Sequence, residues 1–171
     1  MAVLSAKEGE KQMEKAKVHI YCGDGKGKTT AAIGLSVRSC GRGWPVVLSQ
    51  FLKGSTSGEL NILRTLPDYH YIPAPTTTCK FIFQMTEQEK ADYGRQVRRH
   101  FADTVDAVAM GMLSDEELAD FLRNRPADLE VVMTGRAPTP CTDPLADYIT
   151  RMQKVRHPFD QGLNARQGVE F

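Results

Sequence analysis

The stretch that decides the fold is residues 22–30, which read Cys-Gly-Asp-Gly-Lys-Gly-Lys-Thr-Thr. A β-like run at 18–21 precedes it and a helix-like run at 30–40 follows it. Glycines let the backbone curl so that successive amides point at one anion. The positive N-terminal end of the following helix faces the same anion. This strand–loop–helix arrangement predicts a phosphate-binding P-loop.

The P-loop pattern assigns a role to each polar residue. Lys28 can reach the terminal phosphates of a nucleoside triphosphate, and Thr29 can ligate Mg²⁺. Lys26 is either a solvated loop charge or a second phosphate contact, and its position inside the loop favours the contact. The usual first glycine is replaced by Cys22, so a flexible Gly/Lys turn is the alternative to a P-loop. The predicted nucleotide-binding loop residues are Gly23, Asp24, Gly25, Lys26, Gly27, Lys28, Thr29 and Thr30.

Composition limits the class of protein. The chain has 171 residues, 41% apolar and 25% charged, which suits one α/β domain. A net charge of +1 argues against a nucleic-acid partner, and no apolar run is long enough to span a membrane. The four cysteines form no C-x-x-C pair, and the N-terminus lacks the apolar core of a signal peptide. We therefore expect reduced thiols in a cytoplasmic protein, with a four-cysteine metal site as the disfavoured alternative.

β-like and helix-like runs alternate along the chain, which predicts a mostly parallel sheet with helices on both faces. Ligands then bind at the carboxyl ends of the strands. Residues 1–17 are polar and are expected to form an arm, either disordered or a surface helix, before a single domain at 18–171. The predicted strands are 18–22, 46–51, 69–72, 130–134 and about 148–155. The predicted helices are 29–40, 59–65, one that begins at Thr86, and 115–124, with a capping box at Ser114 and Glu117.

Further strings follow the P-loop in order along the chain. They are Thr-Thr-Ala-Ala at 29–32, Arg38, Gln-Phe-Leu-Lys-Gly at 50–54, Phe-Ile-Phe-Gln-Met-Thr at 81–86, Thr-Gly-Arg at 134–136, and His-Pro-Phe-Asp-Gln-Gly at 157–162. With these strings, residues 18–171 closely resemble the P-loop type of ATP:corrinoid adenosyltransferase, also called cob(I)yrinic acid a,c-diamide adenosyltransferase. The resemblance implies a P-loop NTPase-like (RecA-like) fold. It also implies transfer of the 5′-deoxyadenosyl group of ATP to Co(I) of a corrinoid, with release of tripolyphosphate, in cobalamin synthesis or salvage.

The implied chemistry explains which residue types the site contains. Co(I) is itself a strong nucleophile, so no side-chain nucleophile or general base is required. The protein must align the reacting atoms and stabilise the charge that grows on the triphosphate. Lys28, Mg²⁺ on Thr29 and Arg38 suit the second task, and the resemblance assigns Arg136 to the nucleotide. From the residues alone, Arg38 is equally a solvated helix charge and Arg136 equally a surface ion pair.

The resemblance also assigns substrates and partners. Phe81 and Phe83 match an aromatic pair near the corrin face, which helps to remove the lower axial ligand of cobalt. From their spacing alone, both are more simply core residues of a strand. The implied substrates are ATP, with Mg²⁺, and cob(I)alamin or a cobinamide-type corrinoid. The implied partners are an electron-donating reductase and a second copy in a homodimer, with no nucleic acid and no membrane.

One piece of the family pattern is absent. The family has a hydrophobic strand that ends in Asp-Glu, whereas here residues 105–108 pass directly to 109–112. Either the chain as given omits residues between Val108 and Ala109, or the protein truly lacks them. We favour omission, because deletion of a central strand would leave a hole in the sheet. Two rival functions remain: a P-loop NTPase or small-molecule kinase, and an ATP- or corrinoid-binding protein without transferase activity.

Overall fold

The computed structural model of the chain describes residues 2–5, 15–50, 57–73, 86, 88 and 114–170. Within these residues, six strands form one sheet. The strands are β1 (Ala2–Ser5), β2 (Val18–Cys22), β3 (Val46–Ser49), β4 (Tyr69–Ile72), β5 (Leu129–Thr134) and β6 (Tyr148–Arg151). The helices are α1 (Lys28–Cys40), α2 (Leu60–Leu63) and α3 (Asp115–Asn124), with 3₁₀ turns at Asp143–Leu145 and Pro158–Gln161. None of the helices among these residues is long and apolar enough to cross a membrane.

The sheet has the order β4-β3-β1-β5-β2-β6. Strand β2 pairs in parallel with β5 on one side and β6 on the other, and β3 pairs in parallel with β4. The predicted α/β fold with parallel strands is therefore confirmed. Because β2 and β5 run in parallel, the segments that follow them, at Gly23 and Gly135, emerge at the same edge of the sheet.

Two apolar clusters form the core within the described residues. Val132 of β5 packs with Ala32 of α1 and with β3, whereas its neighbour Val131 packs with Leu122 of α3 and with β2. Successive residues of a strand point to opposite faces of the sheet. Helices α1 and α3 therefore cover opposite faces of β5, and α1 runs back over the sheet from the P-loop. The capping box of α3 is confirmed, since Ser114 and Glu117 each accept a hydrogen bond from the other's backbone amide.

Strand β1 differs from the expectation that residues 1–17 form a disordered arm or a surface helix. Ala2–Ser5 instead form an antiparallel strand between β3 and β5, with Val3 opposite both Val47 and Val131. The run Ala-Val-Leu-Ser is four residues long, too short to show a strand period, and polar residues follow it. Composition averaged over 1–17 therefore concealed a strand that pairs on both sides.

The position of β1 bears on the missing acidic strand. Residues 105–112, where that strand was expected, lie outside the described residues. Strand β1 pairs with both β3 and β5, so the described sheet contains no vacancy between them. Strand β1 therefore closes the described sheet between β3 and β5. The preference for an omission between Val108 and Ala109 stays a prediction, because the residues on both sides of that point lie outside the described ones.

Candidate phosphate-binding site

The loop between β2 and α1 has a backbone that only glycine adopts readily. Gly23 has a φ of 107° and Gly27 has a φ of 110°, both in the left-handed region. A Cβ on Gly23 would lie 2.2 Å from the Met152 carbonyl oxygen, and a Cβ on Gly25 would lie 2.8 Å from the same atom. The glycines therefore permit both the curl of the loop and its close packing against the backbone that follows β6.

Two backbone amides of the loop donate hydrogen bonds to other segments of the protein. Gly23 N donates to the carbonyl oxygen of Arg136, and Gly25 N donates to that of Met152, each at 2.8 Å. Within the described part of the chain, the amides of the next residues, 26–28, donate to no backbone carbonyl. They lie at the positive N-terminal end of α1, where an anion is favoured. The amides of residues 26–28 therefore form a nest that fits a phosphate. This set of amides is smaller than the range 23–30 that the sequence predicts.

Lys28 and Thr29 lie where the P-loop pattern predicts, in the first turn of α1. The Lys28 ammonium folds back and donates to the carbonyl oxygen of Gly25 at 2.6 Å. This contact keeps the ammonium over the loop, where an incoming phosphate oxygen can take the place of the carbonyl. Thr29 is half-buried and Thr30 is exposed.

Asp24 shapes the loop from its outer side. It is exposed, and its Oδ1 accepts a hydrogen bond from the Lys154 amide at 3.0 Å. Hydrogen bonds from the Lys154 amide and from its own amide lower the pKa of Asp24. The carboxylate is therefore directed to the segment after β6, a contact that the sequence pattern does not predict.

Lys26 contacts residues 169 and 170, more than 140 positions further along the chain. Its Nζ lies 3.3 Å from the carbonyl oxygen of Val169 and 3.5 Å from Oε1 of Glu170. Both acceptors are missing from the sequence-based site, because nothing in their local sequence links them to a loop more than 140 residues earlier. Lys26 is thus paired with residues 169 and 170 in this structure, and its assignment as a second phosphate contact stays a prediction.

The two predicted arginines occupy different places. Arg136 lies next to the loop, since its carbonyl oxygen accepts the Gly23 amide. Arg38 lies ten residues beyond Lys28 on α1, about 15 Å away by helical rise. It lines a separate cleft of about 240 Å³ together with Trp44 and Glu130. The structure therefore brings Arg136, but not Arg38, to the loop.

The remaining residues predicted to bind the corrinoid or a metal add little to the described site. Phe81 and Phe83, the predicted corrinoid contacts, lie outside the described residues. No group of three or more His, Cys, Asp or Glu side chains that could hold a metal occurs among the residues described. For Mg²⁺, the described loop therefore offers the Thr29 hydroxyl, with the other ligands left to the nucleotide and water.

Comparison with known proteins decides the family. The model of the family described as ATP:corrinoid adenosyltransferase BtuR/CobO/CobP matches residues 14–171. The chain belongs to this family. The resemblance stated from the sequence is confirmed, and neither a kinase nor a non-catalytic binding protein is favoured. The match includes the P-loop and the C-terminal residues that contact Lys26, but not β1.

Curated corrinoid adenosyltransferases are similar to this chain over nearly all of it. The protein from Pseudomonas aeruginosa is 32% identical, covering 99% of this chain and 91% of its own length. The corrinoid adenosyltransferase CobA of Salmonella typhimurium is 30% identical, covering 98% and 92%. That of Escherichia coli K12 is 29% identical over the same shares. The Escherichia coli alignment spans 181 positions against 171 residues here, so the relative carries residues without a counterpart in this chain.

Proposed function

We propose that this protein transfers the 5′-deoxyadenosyl group of ATP to the Co(I) centre of a corrinoid and releases tripolyphosphate, in cobalamin synthesis or salvage. The observation that carries the proposal is the loop at residues 23–29. It holds Lys28 and Thr29 at the start of α1 and, among the described residues, amides at 26–28 that donate to no backbone carbonyl. The family match covers residues 14–171. We assign the fold to the P-loop NTPase-like (RecA-like) class. The parallel pairing of β2 with β5 and β6, and helices on both faces of β5, support that assignment.

The reaction divides the work between substrate and protein. The electron pair of Co(I) forms a bond to C5′, the bond between C5′ and the triphosphate oxygen breaks, and its electrons leave with tripolyphosphate. No side chain has to act as nucleophile or base. The protein's part is to hold the triphosphate so that cobalt, carbon and leaving oxygen are in line.

Lys28 and the loop amides carry the electrostatic part. Negative charge grows on the triphosphate as the bond to carbon breaks, and fixed donors aimed at that charge lower the barrier. When ATP binds, the Lys28 ammonium exchanges the Gly25 carbonyl oxygen for phosphate oxygens. Thr29 would hold Mg²⁺ through its hydroxyl. The ion, when bound, neutralises charge on the phosphates.

The remaining assignments rest on the sequence pattern. Phe81 and Phe83 would contact the corrin and keep water from the lower face of cobalt. Arg136 would reach the nucleotide, supported by the contact of its backbone with Gly23. Arg38 has less support, because it lines a different cleft. A reductase as electron donor, a homodimer and a cytoplasmic location complete the proposal, the last supported by free cysteines at Cys22, Cys40 and Cys141.

The test is incubation of the purified protein with chemically reduced Co(I) corrinoid, ATP and Mg²⁺, following the absorbance change of Co–carbon bond formation. A light-sensitive adenosylcorrinoid, formed only with both substrates, supports the proposal. ATP binding without product would favour the non-catalytic binding protein, and ADP formation would favour the kinase or NTPase.

A further inference from the structure

The C-terminal tail, here residues 166–170, is fastened to the P-loop by Lys26. The Lys26 ammonium lies 3.3 Å from the carbonyl oxygen of Val169 and 3.5 Å from Glu170 Oε1. Lys26 lies between Gly25 and Gly27, and its own amide is one of those that donate to no backbone carbonyl among the described residues. The tail therefore contacts the side chain of a residue that belongs to the predicted phosphate-binding loop.

Glu170 is the anion at the centre of this contact. Its Oε2 accepts hydrogen bonds from the backbone amide and Nε of Arg166, at 2.9 and 3.2 Å, and its Oε1 accepts one from Nη2 at 3.1 Å. These hydrogen bonds, with the charges of Arg166 and Lys26, lower the pKa of Glu170 to about 2. The carboxylate is thus ionised at neutral pH, and it lies between one cation of the tail and one of the loop.

Lys26 can exchange its weak contact with the tail for a stronger contact with a triphosphate. The Lys26 side chain is 49% exposed, and both of its distances to the tail are long for hydrogen bonds. Exposed ion pairs of this kind contribute little. A triphosphate carries several negative charges against one on Glu170, so it attracts the same ammonium more strongly. Lys26 also belongs to the loop whose amides favour an anion.

We propose that the C-terminal tail is a latch on the P-loop, in which Glu170 holds Lys26 until the triphosphate takes that lysine and releases the tail. The identity of the triphosphate as that of ATP rests on the proposed function. The carboxylate acts as an internal competitor, so the free protein holds its loop and tail together. Nucleotide binding is coupled to release of the tail.

The test uses inorganic tripolyphosphate as the probe and titration calorimetry as the measurement, so no corrinoid is needed. Removing the charge in Glu170→Gln should tighten tripolyphosphate binding roughly two- to fivefold. The matched control is Asp120→Asn, which removes an exposed ion pair with Arg123 at 2.8 Å on α3, the helix that covers the face of β5 opposite α1. This control should leave the affinity unchanged. Equal or weaker binding by Glu170→Gln would overturn the latch.

A double variant separates competition for Lys26 from a general change of charge. With Lys26→Gln in place, adding Glu170→Gln should no longer tighten binding, because no ammonium remains to be released. A full gain in that background would overturn the latch, since it would come from the freed Arg166 alone. Adenosyl transfer by the unaltered protein is measured beside these titrations. If the unaltered protein transfers the adenosyl group but Glu170→Gln does not change tripolyphosphate binding, only the latch is wrong. If the titrations agree with the prediction but no adenosyl group is transferred, only the proposed function is wrong.

Discussion

The amide nitrogen of Gly25 lies 2.8 Å from the carbonyl oxygen of Met152, the first residue after β6. This hydrogen bond joins the middle of the P-loop to the strand that flanks β2. The Met152 amide in turn donates to the carbonyl oxygen of Cys22 at 2.8 Å, so the two segments continue the pairing beyond the sheet. The phosphate-binding loop is therefore held by backbone contacts that do not depend on a ligand.

Substitution of Gly25 should disrupt this contact. In Gly25→Ala, the added Cβ would lie 2.8 Å from backbone atoms of both Met152 and Gln153, so the loop must move away from β6. We expect a loss of about 1–3 kcal/mol in the free energy of unfolding. Urea denaturation followed by circular dichroism measures the change.

Gly34→Ala is the matched control for that substitution. Gly34 lies in α1, and a Cβ there would have no neighbour within 4 Å. Alanine is the better helix former, so this variant should gain up to about 1 kcal/mol. Equal effects of the two substitutions would contradict the close packing of Gly25 against the segment after β6.

Lys28→Ala should lower adenosyl transfer while leaving the fold intact. The ammonium is held over the loop by one carbonyl contact, and its loss removes a donor for the growing charge on the triphosphate. We expect a decrease in kcat of roughly 10²–10³-fold. Lys15→Ala removes an exposed lysine outside the loop and should retain full activity. Normal turnover by Lys28→Ala would remove this lysine from the mechanism.

Stability should depend on pH through Glu130. Burial opposes ionisation of this carboxyl, but hydrogen bonds with His19, at 2.6 Å, and with the Lys17 amide outweigh burial and lower its pKa. A carboxyl whose pKa is lowered by folding stabilises the protein above the pKa of the unfolded chain. That stabilisation is lost as the pH falls through the folded-state pKa. The deficit of Glu130→Gln relative to the unaltered protein should therefore be larger near about pH 5.5 than near about pH 3.

Chemical denaturation at the two pH values tests the role of Glu130. Asp128→Asn serves as the control, because Asp128 is an exposed carboxyl close by in the chain. Its effect should be small at both pH values. A deficit of Glu130→Gln that stays constant between them would show that ionisation of this carboxyl does not stabilise the fold.

Strand β1 should be required for a stable sheet. Val3 lies opposite Val47 and Val131, so Val3→Pro removes a backbone donor from a strand that is paired on both sides. We expect the free energy of unfolding to fall by on the order of 3 kcal/mol or more. A lower thermal unfolding midpoint reports this loss. Val155→Pro is the control, since Val155 is 92% exposed and lies outside the strands. A midpoint unchanged by Val3→Pro would contradict the central position of β1.

The sequence predicts the parts of this molecule that local chemistry determines. The P-loop follows from three glycines, Lys28 and Thr29 between a strand and a helix. The start of α3 follows from Ser114 and Glu117, whose reciprocal hydrogen bonds involve neighbouring residues. Strand β5 follows from a run of apolar residues buried on both faces.

Contacts between distant residues account for what the sequence does not predict. Strand β1 is too short to show a period, and its partners begin more than 40 residues later. Lys26 and Val169 are 143 residues apart, so the latch has no local signal. Arg38 has the positive charge that a phosphate contact requires, and it lies on α1, the helix that follows the P-loop. Because α1 runs back over the sheet, however, Arg38 reaches a cleft beside Trp44 and Glu130.

The most direct test of the central claim is the identity of the phosphorus product. Phosphorus NMR of the complete reaction, with Co(I) corrinoid, ATP and Mg²⁺, distinguishes attack at C5′ from attack at the γ-phosphorus. The account predicts tripolyphosphate in a one-to-one ratio with adenosylcorrinoid, and neither product when corrinoid is left out. ADP and inorganic phosphate in place of tripolyphosphate would contradict adenosyl transfer and indicate phosphoryl chemistry at the P-loop.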